Sequence, residues 1–192
     1  MRRGFKAEAE RLADRTRSDL GLTPTTPVDV RVLARHLNIE VVPADQLIDI
    51  RKLQELIAEQ DGAFSAASFH LPDDRVVIVC NPLNDSARTN SDIAHEIAHI
   101  LLRHEVRELQ TIGGNVFFTC DPDQEEEANW LAGCLLLPRQ ILLREAFANA
   151  SADHIAAKYK VSTQMARFRL NTSGVNLQVR RAQQSRSRRP RA

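Results

Sequence analysis

Two histidines and a glutamate near the middle of the chain form the run His95-Glu96-Ile97-Ala98-His99. Residues four apart on a helix share a face and lie about 6 Å apart along its axis, so the two imidazoles can bind one metal ion. Glu96 is displaced by about 100° around the axis, which suits a carboxylate beside a metal-bound water better than a third ligand. The run therefore predicts a metal site in which Glu96 is the general base.

Zinc is the ion that we expect at this site, because imidazole and carboxylate ligands suit it and a catalytic zinc keeps one open position beside three protein ligands. The third ligand is not the last histidine of the pattern HExxHxxGxxH, because Leu102 and Glu105 stand where that pattern has Gly and His. The acidic run Glu125-Glu126-Glu127 offers three candidates. Acids in the first turn of a helix also stabilise its dipole, so their presence alone does not identify a ligand.

A second helix is predicted to carry that acidic run, over residues 122–137. Asp121 precedes it as an N-cap, and Pro138 ends it because proline removes a helical hydrogen bond. Asn129 lies four residues after Glu125 on the same face, where its side chain could hydrogen-bond a histidine ring. That placement favours Glu125 over its two neighbours as the third ligand.

The helix that carries the two histidines is predicted over residues 90–103. Thr89 and Asp92 have the spacing of a capping box at its start. An apolar stripe at helical spacing gives this helix one face for the core, and it consists of Ile93, Ile97, Ile100 and Leu101. We expect the metal site to form where this helix meets the second one.

Shorter elements complete the predicted fold. A helix starts at Thr26, where Thr26 and Asp29 form a capping box, and Asn38 ends it in a left-handed conformation. The strand 39–42 follows, and residues 62–80 form an antiparallel hairpin. These elements predict an α+β fold that is mostly helical, with a small antiparallel sheet packed on the helix of the two histidines.

The C-terminal part of the chain suggests contact with nucleic acid. Residues 151–170 scan like a helix-turn-helix, in which Ser162 caps a second helix that carries Arg167 and Arg169. Residues 176–192 contain six arginines and no acid, and we expect them to form a disordered basic tail. Both features could bind phosphates. A DNA-binding module is therefore an alternative function, although the apolar residues of 151–170 could also pack within the same domain.

The composition, with 43% hydrophobic and 27% charged residues, is that of a folded globular domain rather than a disordered chain. No apolar run approaches the length of a membrane span, and the basic start MRRGF is not followed by the apolar segment of an export signal. Cys80, Cys120 and Cys134 lack metal-binding spacing and indicate reduced thiols that pack in the core. We therefore expect a cytoplasmic protein with no membrane partner.

The motifs HEIAHILLRH and EEEANWLAGCLLLP together resemble the ImmA/IrrE family of metallopeptidases, peptidase family M78. The family pattern is HExGH followed by E-x-x-A-N-x-F-A-x-x-L-L-x-P. The resemblance extends over most of residues 6–170. Three departures lie within the motifs and touch no proposed ligand: Ala98 replaces Gly, Trp130-Leu131 replaces x-Phe, and Gly133-Cys134 replaces Ala-Glu.

This resemblance implies a zincin-like domain over residues 1–175 and the activity of a zinc-dependent endopeptidase of the gluzincin type. The implied substrate is a protein, typically a helix-turn-helix repressor. The implied roles are His95, His99 and Glu125 as ligands, Glu96 as base, Asn129 behind the ligands, and Glu126 and Glu127 as bystanders. A metal-sensing module without proteolysis is a further alternative, but a structural site needs no base beside its metal.

Peptide hydrolysis also needs a group that stabilises an oxyanion, and the sequence identifies it poorly. His154 and Tyr159 are the nearest candidates by residue type, but no spacing places them beside the metal. His104 lies five residues after His99, about 140° around a helix, so we do not expect it to share the face of the ligands.

Overall fold

The computed structural model describes residues 1–60, 64–104, 109–112, 115–118 and 121–187. Helices dominate these ranges, so the predicted α+β class is confirmed. The helices are α1 (Phe5–Asp19), α2 (Val30–His36), α3 (Ile50–Glu59), α4 (Ser86–Leu102), α5 (Pro122–Leu136), α6 (Arg139–Phe147), α7 (Ala152–Tyr159), α8 (Thr163–Thr172) and α9 (Val175–Ser187). The strands are β1 (Ile39–Pro43), β2 (Ala66–His70), β3 (Val76–Cys80), β4 (Leu109–Ile112) and β5 (Asn115–Phe118).

The main sheet has three strands in the order β1-β3-β2. The predicted hairpin is confirmed from Ala66 to Cys80, and its predicted start at Gly62 lies outside the described residues. The sheet is mixed rather than antiparallel, because β1 joins β3 in parallel. The chain between them runs through α3 and β2, which is long enough to return it to the same end of the sheet, as a parallel neighbour requires. β4 and β5 form a separate antiparallel pair.

Helix α4 begins earlier than its sequence pattern predicts. Asp85 is the N-cap, and its carboxylate accepts hydrogen bonds from the backbone N–H groups of Ala87 and Arg88. Thr89, the predicted cap, lies inside the helix and donates its hydroxyl to the Asp85 carbonyl at 3.0 Å. The prediction was wrong because Asp85 satisfies two of the unpaired N–H groups at the helix start. The helix ends at Arg103, whose φ of 53° is left-handed.

The predicted start of α2 at Thr26 is also wrong. Asp29 is the N-cap, and it accepts hydrogen bonds from the N–H groups of Arg31 and Val32. Thr26 is engaged elsewhere, since its hydroxyl bonds that of Thr23 and its carbonyl accepts from the Arg17 guanidinium. The predicted left-handed residue after this helix, Asn38, is confirmed by its φ of 56°.

Helix α5 lies at the centre of the core. Residues 130–137 are all buried, and α1, α4 and α8 pack around this helix. Cys80 and Cys134 are free thiols buried in the same core, as predicted, whereas Cys120 lies outside the described residues. Burial raises the pKa of the Cys134 thiol, so it stays protonated at neutral pH. None of the described helices is both long and apolar enough to cross a membrane.

The C-terminal segment differs from the disordered tail predicted over residues 176–192. Helix α9 continues to Ser187, and residues 188–192 lie outside the described part. Val175 and Val179, one turn apart, are buried where α9 packs on α6. Arg139 of α6 also donates a hydrogen bond to the side chain of Gln178. Two valines at helical spacing thus anchor a segment whose many arginines had suggested disorder.

Candidate metal centre

Two helices bring His95, His99 and Glu125 together, as the sequence predicted. The Nε2 atoms of the two histidines lie 3.0 Å apart, and the Glu125 carboxylate lies 3.1 Å from His95 Nε2 and 3.4 Å from His99 Nε2. All three ligand atoms fall within 4.8 Å of one another. A tetrahedral zinc ion with bonds of about 2.0–2.1 Å needs its ligand atoms about 3.4 Å apart. The donor set and its spacing therefore fit zinc.

The packing of α4 on α5 produces this convergence. One face of α4 is closed into the core by Ile93, Ala94, Ile97 and Ala98, all fully buried. Its opposite side turns the two histidines toward the first turn of α5, where Glu125 lies. Ala98, one of the departures from the resembled pattern, is fully buried on the core face of α4.

Asn129 orients the ring of His95. Its Oδ1 lies 3.1 Å from Nδ1 of His95. Since a carbonyl oxygen only accepts hydrogen bonds, Nδ1 carries the proton, and Nε2 keeps its lone pair for a metal. The predicted position of Asn129 behind the ligands therefore has a geometric basis, and it fixes the tautomer that metal binding requires.

Glu96 lies beside the centre and is 3% exposed, with a hydrogen-bond partner that the sequence did not reveal. Ser68 of β2 donates its hydroxyl to Glu96 Oε2 at 2.8 Å. The two residues lie 28 positions apart and meet only because the sheet packs on α4. No local pattern marks Ser68 as a neighbour of the base.

A cleft of about 470 Å³ opens at the centre, between β2, α4, α5 and α8. His95, Glu96 and Glu125 line it together with Met165 and Phe168 of α8. The second helix of the predicted helix-turn-helix is therefore one wall of this cleft. Its predicted cap is confirmed, because Ser162 Oγ accepts from the Met165 N–H.

Asp92 adds an acidic group to the cleft wall one turn before the histidines. Burial raises the pKa of this carboxyl, and Arg88, with its Nε at 3.8 Å, opposes the rise. The Asp92 side chain also accepts a hydrogen bond from Asn84 at 3.3 Å. Asp92 was predicted as part of a capping box, and it instead belongs to the polar lining of the cleft.

Arg169 corrects the prediction of a DNA-reading face on α8. Its side chain is fully buried, donates to the Leu137 carbonyl at 3.2 Å and forms an ion pair with Glu10 at 2.9 Å. Arg167 is exposed and lies 3.7 Å from Asp153. Arg167 is therefore accessible to a phosphate, whereas Arg169 is not, because its side chain joins α8 to α1 and α5.

The two candidates for an oxyanion donor lie elsewhere. Tyr159 is buried and donates its hydroxyl to Glu145 at 2.7 Å, while Arg144 donates to the same hydroxyl at 2.6 Å. His154 is an exposed residue in the first turn of α7, where its N–H bonds Ser151 Oγ. Neither is among the described residues that line the cleft, so the structure does not bring them to the metal centre.

His104 lies outside the group of predicted ligands, as expected, but it contacts His99 from behind. The left-handed Arg103 turns the chain back after α4, and His104 Nδ1 lies 2.9 Å from Nδ1 of His99. Glu127, taken for a bystander, has its Oε2 3.7 Å from His104 Nε2. Burial lowers the pKa of His104, and His99 lowers it further, which favours the neutral form of this ring.

Comparison with known proteins matches most of the chain to a protein family. The family model Peptidase_M78, described as the IrrE N-terminal-like domain, matches residues 36–171. No curated protein and no solved structure matches the chain. The matched range runs from the end of α2 to α8 and contains every residue of the metal centre described above.

Proposed function

This chain belongs to the Peptidase_M78 family, and we propose that it is a zinc-dependent endopeptidase of the cytoplasm that cleaves a helix-turn-helix repressor. The observation that carries the proposal is the convergence of His95, His99 and Glu125 on one point beside a buried carboxylate, Glu96. Two histidines and a glutamate with an adjacent base are the donor set of a catalytic zinc site rather than a structural one.

Each residue of the centre has a distinct task. His95, His99 and Glu125 would hold a zinc ion, which would supply Lewis acidity to a peptide carbonyl and to water. Glu96 accepts a proton from the attacking water and passes it to the amine released from the cleaved bond. Ser68 holds the Glu96 carboxylate at 2.8 Å, and Asn129 holds the His95 ring at 3.1 Å, so neither must reorient during the reaction.

The shape of the cleft supports a protein substrate. β2 forms one wall and is an edge strand in the described sheet, with β3 on its other side. An edge strand can pair with an extended peptide through its backbone groups. Such pairing would place a peptide next to Ser68 and Glu96. The choice of a repressor, and with it the cytoplasm, rests on the family resemblance.

The decisive experiment compares wild type with Glu96→Gln, after co-expression with a helix-turn-helix protein encoded beside the gene. We expect the variant to retain one zinc per chain and to cleave about 10²- to 10⁴-fold more slowly, because its amide cannot take the proton. Glu126→Gln is the matched control, since Glu126 is an exposed acid of α5 and its change should alter neither property. Cleavage by Glu96→Gln at the wild-type rate would overturn the mechanism.

The DNA-binding alternative receives no support from a specific contact. Arg169 is buried in the core, and α8 turns Met165 and Phe168 toward the cleft. A metal-sensing module would not require Glu96 to be held in place by Ser68 beside the ligands. We therefore retain the peptidase as the single proposed function.

A further inference from the structure

Behind the metal centre, a further histidine, His104, and an acid, Glu127, follow His99 in a line. His104 Nδ1 lies 2.9 Å from His99 Nδ1, and His104 Nε2 lies 3.7 Å from Glu127 Oε2. We propose that His104 and Glu127 are a positioning pair that fixes the tautomer and orientation of His99 and thereby raises its affinity for zinc. This inference rests on the proposed function in one respect, namely that His99 is a zinc ligand.

The proton positions follow from the geometry one after another. His99 turns Nε2 toward His95 and Glu125, at 3.0 and 3.4 Å, so Nε2 must keep its lone pair to bind a metal. The proton of the His99 ring is then on Nδ1. Because two ring nitrogens at 2.9 Å need one donor and one acceptor, His104 Nδ1 is the acceptor. The proton of His104 is therefore on Nε2, which faces Glu127.

Glu127 is placed to receive that proton's hydrogen bond. Its Oε1 accepts from the backbone N–H of Arg2 at 3.2 Å, while its Oε2 is directed to His104. Within the described residues, His104 Nε2 is buried and has no closer hydrogen-bond partner. A contraction of a few tenths of an ångström would turn this 3.7 Å contact into a hydrogen bond. The site thus offers an acceptor to a buried donor that otherwise lacks one.

Burial makes the interaction effective. The side chains of His104 and Glu127 are 7% and 13% exposed, so water screens the carboxylate only weakly from the two rings. Negative charge at the far end of the line favours the His99 tautomer that leaves Nε2 free for a metal, as carboxylates behind metal-bound histidines do. The arrangement parallels the hydrogen bond of Asn129 to His95, with an anion in place of the amide.

The backbone accounts for the placement of His104. Its N–H donates to the His99 carbonyl at 3.1 Å, which closes a turn at the end of α4. Arg103 adopts the left-handed conformation that this turn requires. The two rings then meet edge to face, with centroids 4.9 Å apart. On a continuous helix, a spacing of five residues would point the rings of His99 and His104 in different directions. Because α4 ends before His104, the two rings can meet.

The test is a competition titration of zinc against a chelator with wild type, His104→Ala, Glu127→Gln and the exposed control Glu126→Gln. We expect His104→Ala to weaken zinc binding about 10- to 100-fold and Glu127→Gln to weaken it by a smaller factor. Glu126→Gln should match wild type. His104→Gln should recover part of the affinity, because its amide oxygen can accept the His99 proton.

Two further measurements separate positioning from general stability. Urea unfolding of the metal-free proteins should show that Glu127→Gln remains folded, and adding Glu127→Gln to His104→Ala should weaken zinc binding no further, since both act through one line. Equal zinc affinity in wild type, His104→Ala and Glu127→Gln would overturn the pair. If these affinities differ as expected while no protein is cleaved, the positioning pair is supported and the proposed peptidase activity fails.

Discussion

Ser68 on the edge strand β2 donates a hydrogen bond of 2.8 Å to Oε2 of Glu96 on α4. This bond connects the sheet to the helix at the carboxylate that we propose as the general base. A charge-assisted hydrogen bond of this kind is short and directional. The orientation of Glu96 therefore depends on the register of β2 as well as on α4.

Ser68→Ala tests that connection. We expect cleavage to slow about tenfold while zinc binding stays unchanged, because Glu96 loses an orienting donor but no ligand is altered. Cleavage rates and zinc content should be measured together. Ser185→Ala, a hydroxyl deletion on the exposed side of α9, serves as the control. An unchanged cleavage rate in Ser68→Ala would show that α4 alone positions the base.

Glu125→Ala tests the third ligand. Removing its carboxylate leaves only the two histidines, so we expect the purified variant to lose most of its zinc. Glu126→Ala, the neighbouring acid exposed to solvent, should keep one zinc per chain. Measuring the zinc content of both purified proteins shows whether Glu125 is a ligand. Full zinc content in Glu125→Ala would mean that another residue completes the site.

Gly133→Ala tests the contact between α5 and α8. A Cβ at this position would lie 2.3 Å from Cδ of Arg169, whose buried side chain is held by the Leu137 carbonyl and by Glu10. We expect a loss of about 1–3 kcal/mol in the free energy of unfolding, because overpacking outweighs the better helix propensity of alanine. Urea denaturation of wild type and Gly133→Ala measures this difference in the free energy of unfolding. If the variant were more stable than wild type, helix propensity would dominate and the contact would be loose.

Arginines of α8 and α9 differ in what they can contribute to nucleic-acid binding. Arg167→Ala should leave any retention of duplex DNA nearly unchanged, because Arg167 lies 3.7 Å from Asp153 and Arg169, the other arginine of α8, is buried. The double change Arg180→Ala and Arg181→Ala on the exposed side of α9 should weaken retention and reduce its salt dependence. Fluorescence anisotropy at several salt concentrations checks both. Loss of specific binding in Arg167→Ala alone would revive the DNA-reading interpretation.

Glu145 gives the stability a defined pH dependence. Burial pushes the pKa of its carboxyl upward, but hydrogen bonds from Lys158 and Tyr159 outweigh burial and hold the pKa below its ordinary value. A carboxyl with a depressed pKa stabilises the fold at pH values above its unfolded pKa and loses this contribution as the pH falls through the folded pKa.

Glu145→Gln should therefore be less stable than wild type at pH 7, and the difference should shrink as the pH falls below about 4. Urea unfolding across this range measures the difference. Glu59→Gln, at the exposed end of α3, should not show the same pattern. A stability difference independent of pH would mean that the charge of Glu145 does not contribute.

The sequence predicted those features that depend on residues close together in the chain. The spacing of His95 and His99 determines a shared helical face, and Asp121 with Pro122 determines the start of α5, because both follow from the 3.6-residue period and local capping. Asn129 favoured Glu125 as the third ligand for the same reason, since residues four apart share a helical face. Local signals were less reliable at the start of α4, where several polar residues compete as caps and the structure uses Asp85 instead of Thr89.

Tertiary structure alone decided which distant groups meet. Ser68 reaches Glu96 through the packing of the sheet on α4, and Arg169 faces inward because α8 packs on α5. His104 contacts His99 only because α4 ends at Arg103, and Glu127 faces it from another helix. Periodicity fixes the face of a helix on which a residue lies, but the packing of the folded chain selects what that face contacts. Here packing places Ser68, His104 and Glu127 behind the residues that we propose as base and metal ligands.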